Sequence, residues 1–228
     1  MNNDVIVVAI DGPSASGKST VARRSAQDLG FCYVDSGALY RGMTWKAMRE
    51  GVDIHNTGAV LELLARVRME FFLRQGQVLF SVDGEEPGEQ LRSEAVAEHV
   101  SDIAAIPEVR SYMVRKLRST VQFGNLVMEG RDIGTVVFPD TPFKFYLDAN
   151  PEERARRRHQ EILSTRSGET TVDTVLSSLT RRDTKDTMRK IAPLQIALGA
   201  RIIDSTSLSI DDVVQQVVAH VRSSGISA

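Results

Sequence analysis

The amino-acid sequence predicts an α/β fold in which helices cover both faces of a parallel β-sheet. Five short apolar runs recur along the chain, and each is followed by a polar or glycine-containing turn. Segments of helical character lie between these runs, and strands that alternate with helices typically form a parallel sheet. The five runs are Val5–Ile10, Phe31–Val34, Leu126–Met128, Phe143–Leu147 and Arg201–Ile203.

The first and last elements illustrate the pattern. Val5–Ile10 is rich in β-branched residues and ends in Asp11-Gly12, as expected for a strand that is buried on both faces. Apolar residues follow with helical spacing over Ser19–Leu29, and Gly30 is placed to end this helix. Ile210–Val221 carries valines on one stripe, which predicts a helix packed on the sheet.

Two stretches interrupt the alternation of strands and helices. Met69–Leu73 and Val78–Val82 flank Gln75-Gly76, a pattern typical of a β-hairpin within a long insertion. Glu152–Lys190 is polar and strongly basic. Because so little apolar surface is available to order this second stretch, we expect it to be mobile.

Composition and charge favour a small soluble protein. The 228 residues, of which 42% are hydrophobic, suffice for the core of one α/β domain, and the formal net charge is −2. This charge gives no reason to expect binding to nucleic acid or to a membrane surface. The single cysteine, Cys32, fits a reducing compartment, and the N-terminal apolar run is too short for a signal peptide or a membrane span. We therefore expect a cytoplasmic protein, and the lack of coiled-coil heptads favours a monomer.

The turn after the first predicted strand matches the phosphate-loop pattern G-x-x-x-x-G-K-[ST]. Glycines let the backbone bend so that N–H groups point at a phosphate, and the following helix N-terminus adds positive potential. Lys18 is expected to reach the β- and γ-phosphates of ATP, and the Ser19 hydroxyl to help hold the accompanying Mg²⁺. The predicted ATP-binding residues are Gly12, Pro13, Ser14, Ala15, Ser16, Gly17, Lys18, Ser19 and Thr20.

This loop does not by itself specify the reaction, because GTPases, ATP-driven motors and small-molecule kinases share it. The sequence lacks the Asn/Thr-Lys-x-Asp motif that reads guanine. The third predicted strand leads into Glu129-Gly-Arg131-Asp132 rather than ending in a lone magnesium-binding acid. Both observations favour a kinase. A nucleotide hydrolase or switch and a non-catalytic nucleotide-binding regulator remain alternatives.

Arginines at several positions are suited to phosphoryl transfer, which needs positioning and neutralisation of charge more than covalent chemistry. Arg41 follows the second predicted strand, and Arg131 lies at the carboxyl end of the third, where open α/β sheets bind ligands. In a helix, Arg182, Asp186 and Arg189 would lie on one face. Each arginine of Arg154–Arg158 is about as consistent with a solvated ion pair as with a functional role, and Asp183 is expected to be exposed.

Taken together, the motifs resemble those of bacterial cytidylate kinases, which are P-loop nucleoside monophosphate kinases. The similarity runs from about Val5 to about Val221, and the block around Gly130–Pro139 is the most specific part. The motifs are Gly12–Ser19, Asp35-Ser36-Gly37, Tyr40-Arg41, Gly130–Pro139, Arg182 with Asp186 and Arg189, and Ala192-Pro193-Leu194.

The resemblance implies a P-loop three-layer fold with three parts. These are a core with a five-stranded parallel sheet, an inserted NMP-binding domain that contains the small β element, and a mobile lid. The implied boundaries are about 1–37, 106–150 and 186–228 for the core, 38–105 for the insertion and 151–185 for the lid.

The resemblance also implies a role for individual residues. Arg41, Arg131 and Arg189 would hold the phosphate of CMP. The ribose would lie against Arg182 and Asp186, and the cytosine among Ser36, Tyr40, Ser101, Arg110 and Asp132. The implied catalytic residues are Lys18, Arg131, Arg157, Arg158 and Arg189, although Arg156 makes the run of lid arginines one longer than expected.

The chemistry of the base agrees with these roles. Asp132 can accept a hydrogen bond from the N4 amino group of cytosine, and Arg110 can donate to N3 or O2. Uracil presents an acceptor, O4, where the carboxylate needs a donor. The expected reaction is ATP + CMP ⇌ ADP + CDP with Mg²⁺, with dCMP as a second acceptor. A kinase for another monophosphate such as UMP is the nearest alternative.

Overall fold

The computed structural model describes residues 5–165 and 170–224. The strands are β1 Val7–Asp11, β2 Cys32–Asp35, β3 Met69–Arg74, β4 Gln77–Val82, β5 Leu126–Gly130, β6 Phe143–Asp148 and β7 Arg201–Asp204. They form one sheet in the order β3-β4-β2-β5-β1-β6-β7. The helices are α1 Lys18–Leu29, α2 Ser36–Arg49, α3 Thr57–Arg66, α4 Glu94–Ile103, α5 Pro107–Ser119, α6 Pro151–Thr165, α7 Val172–Thr187 and α8 Ile210–Ser223.

Both faces of the sheet are covered, as the apolar runs predict. On β1, Val8 and Ile10 face a cluster formed with α1 and α8, whereas Val7 and Ala9 face a second cluster formed with α2 to α5. Successive side chains of a strand point to opposite faces, so a strand covered on both sides must be apolar throughout. This explains why the core strands read as continuous apolar runs.

The five predicted core strands are confirmed as a parallel set, β2-β5-β1-β6-β7. The predicted hairpin is also confirmed, with β3 and β4 antiparallel around Gln75 and Gly76. The implied count of five strands is corrected, because β4 joins the edge of the sheet through Tyr33 and Gln77 and extends it to seven. Val78, Phe80 and Val82 are buried in the cluster beneath α2. Burial of this apolar surface stabilises the packing of the hairpin on the core.

Helix ends agree with the sequence signals to within a few residues. Gly30 ends α1 in the left-handed conformation with φ 69°. Ser209 and Asp212 form a capping box at the start of α8, where each side chain satisfies a backbone N–H. No helix within residues 5–165 and 170–224 is long and apolar enough to cross a bilayer.

The polar stretch Glu152–Lys190 contains the two helices α6 and α7. They pack on each other through a small apolar cluster of Ala155, Val175 and Leu179. Because α7 ends at Thr187, Arg189 lies beyond the helix, and the predicted single helical face for Arg182, Asp186 and Arg189 is wrong for Arg189. Residues 166–169 of the predicted lid lie outside the described residues. The mobility of the lid and the boundaries of core, insertion and lid stay predictions.

Candidate active site

The phosphate loop connects β1 to α1 and runs close to β6. Gly12 has φ 150°, and a Cβ atom there would lie 2.0 Å from the carbonyl oxygen of Leu147. Gly17 has φ 91° at the start of α1. Glycine is therefore required at Gly12 by the close approach of two backbones, and at Gly17 by the left-handed turn into the helix.

The side chain of Lys18 is buried in the loop that precedes it. Its Nζ donates hydrogen bonds to the carbonyl oxygen of Pro13 at 2.5 Å and to Oγ of Ser16 at 3.4 Å. Burial, together with the positive charge of Arg131, lowers the pKa of Lys18 to about 7. A phosphate group beside this amine would favour its charged form and raise the pKa again.

Ser19 lies next to Glu129, a carboxylate that is not among the predicted site residues. Its Oγ donates to Oε1 of Glu129 at 2.5 Å, and the hydroxyl of Tyr33 donates to the same oxygen at 3.2 Å. Hydroxyl and carboxylate oxygens are the ligands that Mg²⁺ prefers, so these residues fit that ion. Within the described ranges, no three His, Cys, Asp or Glu side chains are grouped to hold a metal by themselves. The acid at the carboxyl end of β5 was the available signal for Glu129.

A cavity of about 910 Å³ opens over the phosphate loop and extends to the carboxyl end of β5 and to α2, α4, α6 and α7. It gathers nearly all of the predicted site residues. Gly12 and Pro13, which belong to the same loop, do not line the cavity. The predicted residues that line the cavity are Ser14, Ala15, Ser16, Gly17, Lys18, Ser19, Thr20, Ser36, Tyr40, Arg41, Ser101, Arg110, Arg131, Asp132, Arg157, Arg158, Arg182, Asp186 and Arg189.

Guanidinium groups surround Asp186 in this cavity. Arg131 Nε donates to Oδ2 of Asp186 at 3.0 Å, and Nη1 of Arg189 lies 3.9 Å from Oδ1. Burial and the charge of Arg131 lower the pKa of Arg182 to about 10. Among the described side chains, Nε of Arg41, Nε of Arg182 and Nη2 of Arg189 are buried without a hydrogen-bond acceptor. Buried donors of this kind need acceptors, which the oxygen atoms of a nucleotide would supply.

The residues predicted to surround cytosine also line the cavity. Arg110 forms an ion pair with Asp132 and donates from Nη1 to the carbonyl oxygen of Ala104 at 3.1 Å. The guanidinium carbon of Arg110 lies 5.4 Å from the ring centre of Tyr40. Ser36 and Ser101 are both buried. The arrangement offers a carboxylate acceptor, a guanidinium donor and an aromatic ring to a flat polar ligand.

The arginines of α6 differ in their surroundings. Arg157 donates to Oγ of Ser205 at 3.1 Å and to its carbonyl oxygen at 2.6 Å, beside the phosphate loop. Arg158 pairs with Glu161 at 2.8 Å, and the exposed Arg156 pairs with Glu153 at 2.7 Å. All three arginines line the cavity.

Two residues, one on α6 and one on α7, differ from their sequence-based interpretation. The expected exposure of Asp183 is wrong, because its side chain is only 16% exposed and forms an ion pair with Arg154. Arg154 is 8% exposed and so does not belong to a solvated face. The local pattern around both residues is polar and gave no signal of this burial, which depends on the distant phosphate loop.

Comparisons with known proteins agree with this geometry. A family model described as cytidylate kinase matches residues 8–223. The chain belongs to the cytidylate kinase family. A cytidylate kinase of Caldanaerobacter subterraneus subsp. tengcongensis is 42% identical over 97% of each chain. Another, of Geobacillus kaustophilus, is 43% identical over 95% of this chain and 96% of that relative.

A solved structure supports the fold alone. An uncharacterised protein from Eubacterium ventriosum covers 96% of this chain, with 99% of its own chain matched, a TM-score of 0.52 and 11% identity. This likeness shows that the same overall fold occurs in a solved structure.

Proposed function

We propose that this chain transfers the γ-phosphoryl group of ATP to CMP, giving ADP and CDP. The observation that carries the proposal is the convergence of Arg41, Arg131 and Arg189 on one cavity with Lys18. Such a cavity brings two phosphate-binding regions together, as transfer between two nucleotides requires. Membership of the cytidylate kinase family supports CMP as the acceptor.

In the proposed complex, ATP lies on the phosphate loop, and the CMP phosphate lies among Arg41, Arg131 and Arg189. An oxygen of the CMP phosphate attacks the γ-phosphorus in line, the bond from that phosphorus to the bridging oxygen breaks, and ADP leaves with the electron pair. Lys18 and the arginines neutralise charge on the phosphoryl oxygens. Exclusion of water by α6 and α7 would limit wasteful hydrolysis of ATP.

The base and the sugar determine which acceptor is used. Asp132 accepts from N4 of cytosine and Arg110 donates to N3 or O2, whereas uracil would place an acceptor against the carboxylate. Arg182 and Asp186 hold the ribose. Because recognition of the acceptor need not require the 2′-hydroxyl, we include dCMP as a second acceptor.

Mg²⁺ is proposed to arrive with ATP, with Ser19 as the loop residue that helps to hold it and with Glu129 beside that hydroxyl. The ion would neutralise charge on the β- and γ-phosphates. A cytoplasmic location, a monomeric state and the lack of nucleic-acid or membrane partners stay predictions from the sequence.

An assay of ADP release with ATP, Mg²⁺ and each nucleoside monophosphate in turn tests the proposal. We expect release to depend on CMP or dCMP and to be much slower with UMP. Faster turnover with UMP would identify a different monophosphate kinase. Release without any acceptor would indicate a hydrolase or switch, and ATP binding without transfer to any acceptor would indicate a regulator.

A further inference from the structure

Side chains of α6 and α7 hold the backbone of Ser14 from both sides. Oδ1 of Asp183, on α7, accepts a hydrogen bond from the N–H of Ser14 at 3.1 Å. Nη1 of Arg154, on α6, donates to the carbonyl oxygen of Ser14 at 3.1 Å. The two side chains also pair with each other. One residue of the phosphate loop is therefore fixed at both of its backbone polar groups.

The side chain of Ser14 extends this contact to the acceptor side of the cavity. Its Oγ accepts a hydrogen bond from Nη2 of Arg131 at 2.8 Å, while Nε of Arg131 bonds Asp186. A shift of Ser14 would therefore disturb Arg131, which we place at the CMP phosphate.

The next residue of the loop also rests on these helices. Ala15 has φ 60° and packs against the cluster of Ala155, Val175 and Leu179. For a residue other than glycine, this left-handed conformation costs on the order of 1 kcal/mol or more. It persists only where the surrounding structure holds it. The helices thus support the bent conformation of the loop.

The burial of the ion pair indicates what it contributes. Arg154 is 8% exposed and donates from Nε to the carbonyl oxygen of Ala149 at 3.0 Å, which anchors it at the start of α6. A buried ion pair gives little net stability compared with packed apolar side chains, because both charges lose their hydration. It does fix a geometry, since each partner is satisfied in one arrangement only.

We infer that Arg154 and Asp183 are positioning residues, which clamp Ser14 so that the phosphate loop and Arg131 keep the geometry of phosphoryl transfer. Neither side chain lines the cavity, so both act through Ser14. The inference rests on the proposed function and adds two residues that lie outside the predicted ATP and CMP sets. A displacement of about 1 Å at a reacting group can cost about 10²-fold in rate, so such a clamp affects turnover strongly.

The kinetic test is a double-mutant cycle with Asp183→Asn, Arg154→Met and the double variant. We expect each single variant to lower kcat with CMP by about 10- to 100-fold, with smaller changes in KM for ATP and CMP. The double variant should be no slower than the slower single variant, because either change already breaks the clamp. Assays run well below each variant's unfolding midpoint. Arg154→Lys and Asp183→Glu replace any variant that fails to fold.

The exposed pair Arg74 and Glu86 provides matched controls, Arg74→Met and Glu86→Gln, because it lies outside the cavity. These variants should keep wild-type kcat. If Asp183→Asn lowers the unfolding midpoint but leaves kcat unchanged, or if the two single effects simply multiply, the clamp does not position the reaction. Wild-type protein that transfers nothing to CMP would overturn the proposed function instead.

A second measurement does not depend on the identity of the phosphoryl acceptor. Amide hydrogen exchange of Ser14, followed by NMR in the nucleotide-free protein, should be slow in the wild type and at least about tenfold faster in Arg154→Met. The control Arg74→Met should leave it unchanged. An amide of Ser14 that exchanges equally fast in all three proteins would overturn the inference, whatever the acceptor proves to be.

Discussion

The guanidinium of Arg110 and the carboxylate of Asp132 form an ion pair in the wall of the cavity, with side-chain exposures of 3% and 6%. Arg110 comes from α5 and Asp132 from the turn after β5, so the pair joins this helix to the end of a central strand of the sheet. Two charges buried this deeply must be satisfied by each other or by a ligand. Together they present an acceptor and a donor side by side, which is the pattern needed at the edge of cytosine.

Replacing the carboxylate should therefore change the choice of base. In Asp132→Asn, we expect kcat/KM for CMP to fall by about 10²-fold or more, because the amide can no longer pair with Arg110 as a charge and can present a donor to N4. The loss with UMP should be smaller, since O4 accepts from the new amide. Steady-state kinetics with both acceptors measure the ratio.

The exposed Asp140 offers a control, because Asp140→Asn makes the same chemical change away from the cavity. Equal losses with CMP and UMP in Asp132→Asn would contradict the proposed base reading.

The second prediction concerns Arg131, which bonds both Ser14 and Asp186. Its removal takes away a fixed guanidinium at the proposed site of the acceptor phosphate, so Arg131→Ala should lower kcat/KM on the order of 10³-fold. Arg131→Lys keeps the positive charge but loses the bidentate guanidinium. Its kcat/KM should lie between those of the wild type and Arg131→Ala. The exposed Arg201→Ala serves as the control. Near-normal turnover of Arg131→Ala would remove this residue from the proposed site.

The sequence predicts the core of this fold well because its signals are local. Each strand that is covered on both faces must be apolar throughout, and Gly30 ends α1 where the left-handed position requires it. The position of Arg189 beyond α7 is harder to predict, because the polar sequence around Thr187 carries no clear signal that ends a helix.

The interior contacts of the site were harder to predict. Asp183 is partly buried and accepts a hydrogen bond from Ser14, which is 169 positions away in the chain, and no periodic pattern records such a contact. A role for Glu129 depends on its contact with Ser19, which lies on α1 and is 110 positions away in the chain. Only family resemblance points to Ser101 and Arg110 as proposed cytosine contacts, because both lie in helices of ordinary sequence.

The third prediction follows from the lowered pKa of Lys18, about 7 in the nucleotide-free chain. Below pH 7 the amine is charged before and after ATP binds. Above pH 7 it is largely neutral, and the phosphates should restore its charge by proton uptake. ATP affinity should therefore weaken as pH rises above 7, by at most about 1.4 kcal/mol per pH unit.

Calorimetric titration of ATP at pH 8, in buffers of different ionisation enthalpy, measures this proton uptake directly. Lys18→Arg is the comparison, because a guanidinium stays charged and has no proton to gain. An equal uptake in both proteins would assign the proton to another group.

The final prediction separates two glycines with positive φ. Alanine at Gly30, with φ 69°, would meet nothing within 4 Å, so Gly30→Ala should cost only about 1–2 kcal/mol of unfolding free energy for the left-handed backbone. Alanine at Gly12 would place Cβ 2.0 Å from the carbonyl oxygen of Leu147, and neither backbone can yield without moving β6 or the phosphate loop. We expect Gly12→Ala to cost about 4 kcal/mol or more.

Urea unfolding of the two variants beside the wild type measures both costs. If the loop moves instead of the strand, Gly12→Ala should keep more stability but lose ATP binding, because the N–H groups of the loop no longer converge on a phosphate. Gly30→Ala should bind ATP normally, since Gly30 is at the far end of α1. A Gly12→Ala protein that matches Gly30→Ala in both stability and ATP affinity would show that the approach of Gly12 to Leu147 does not constrain the loop.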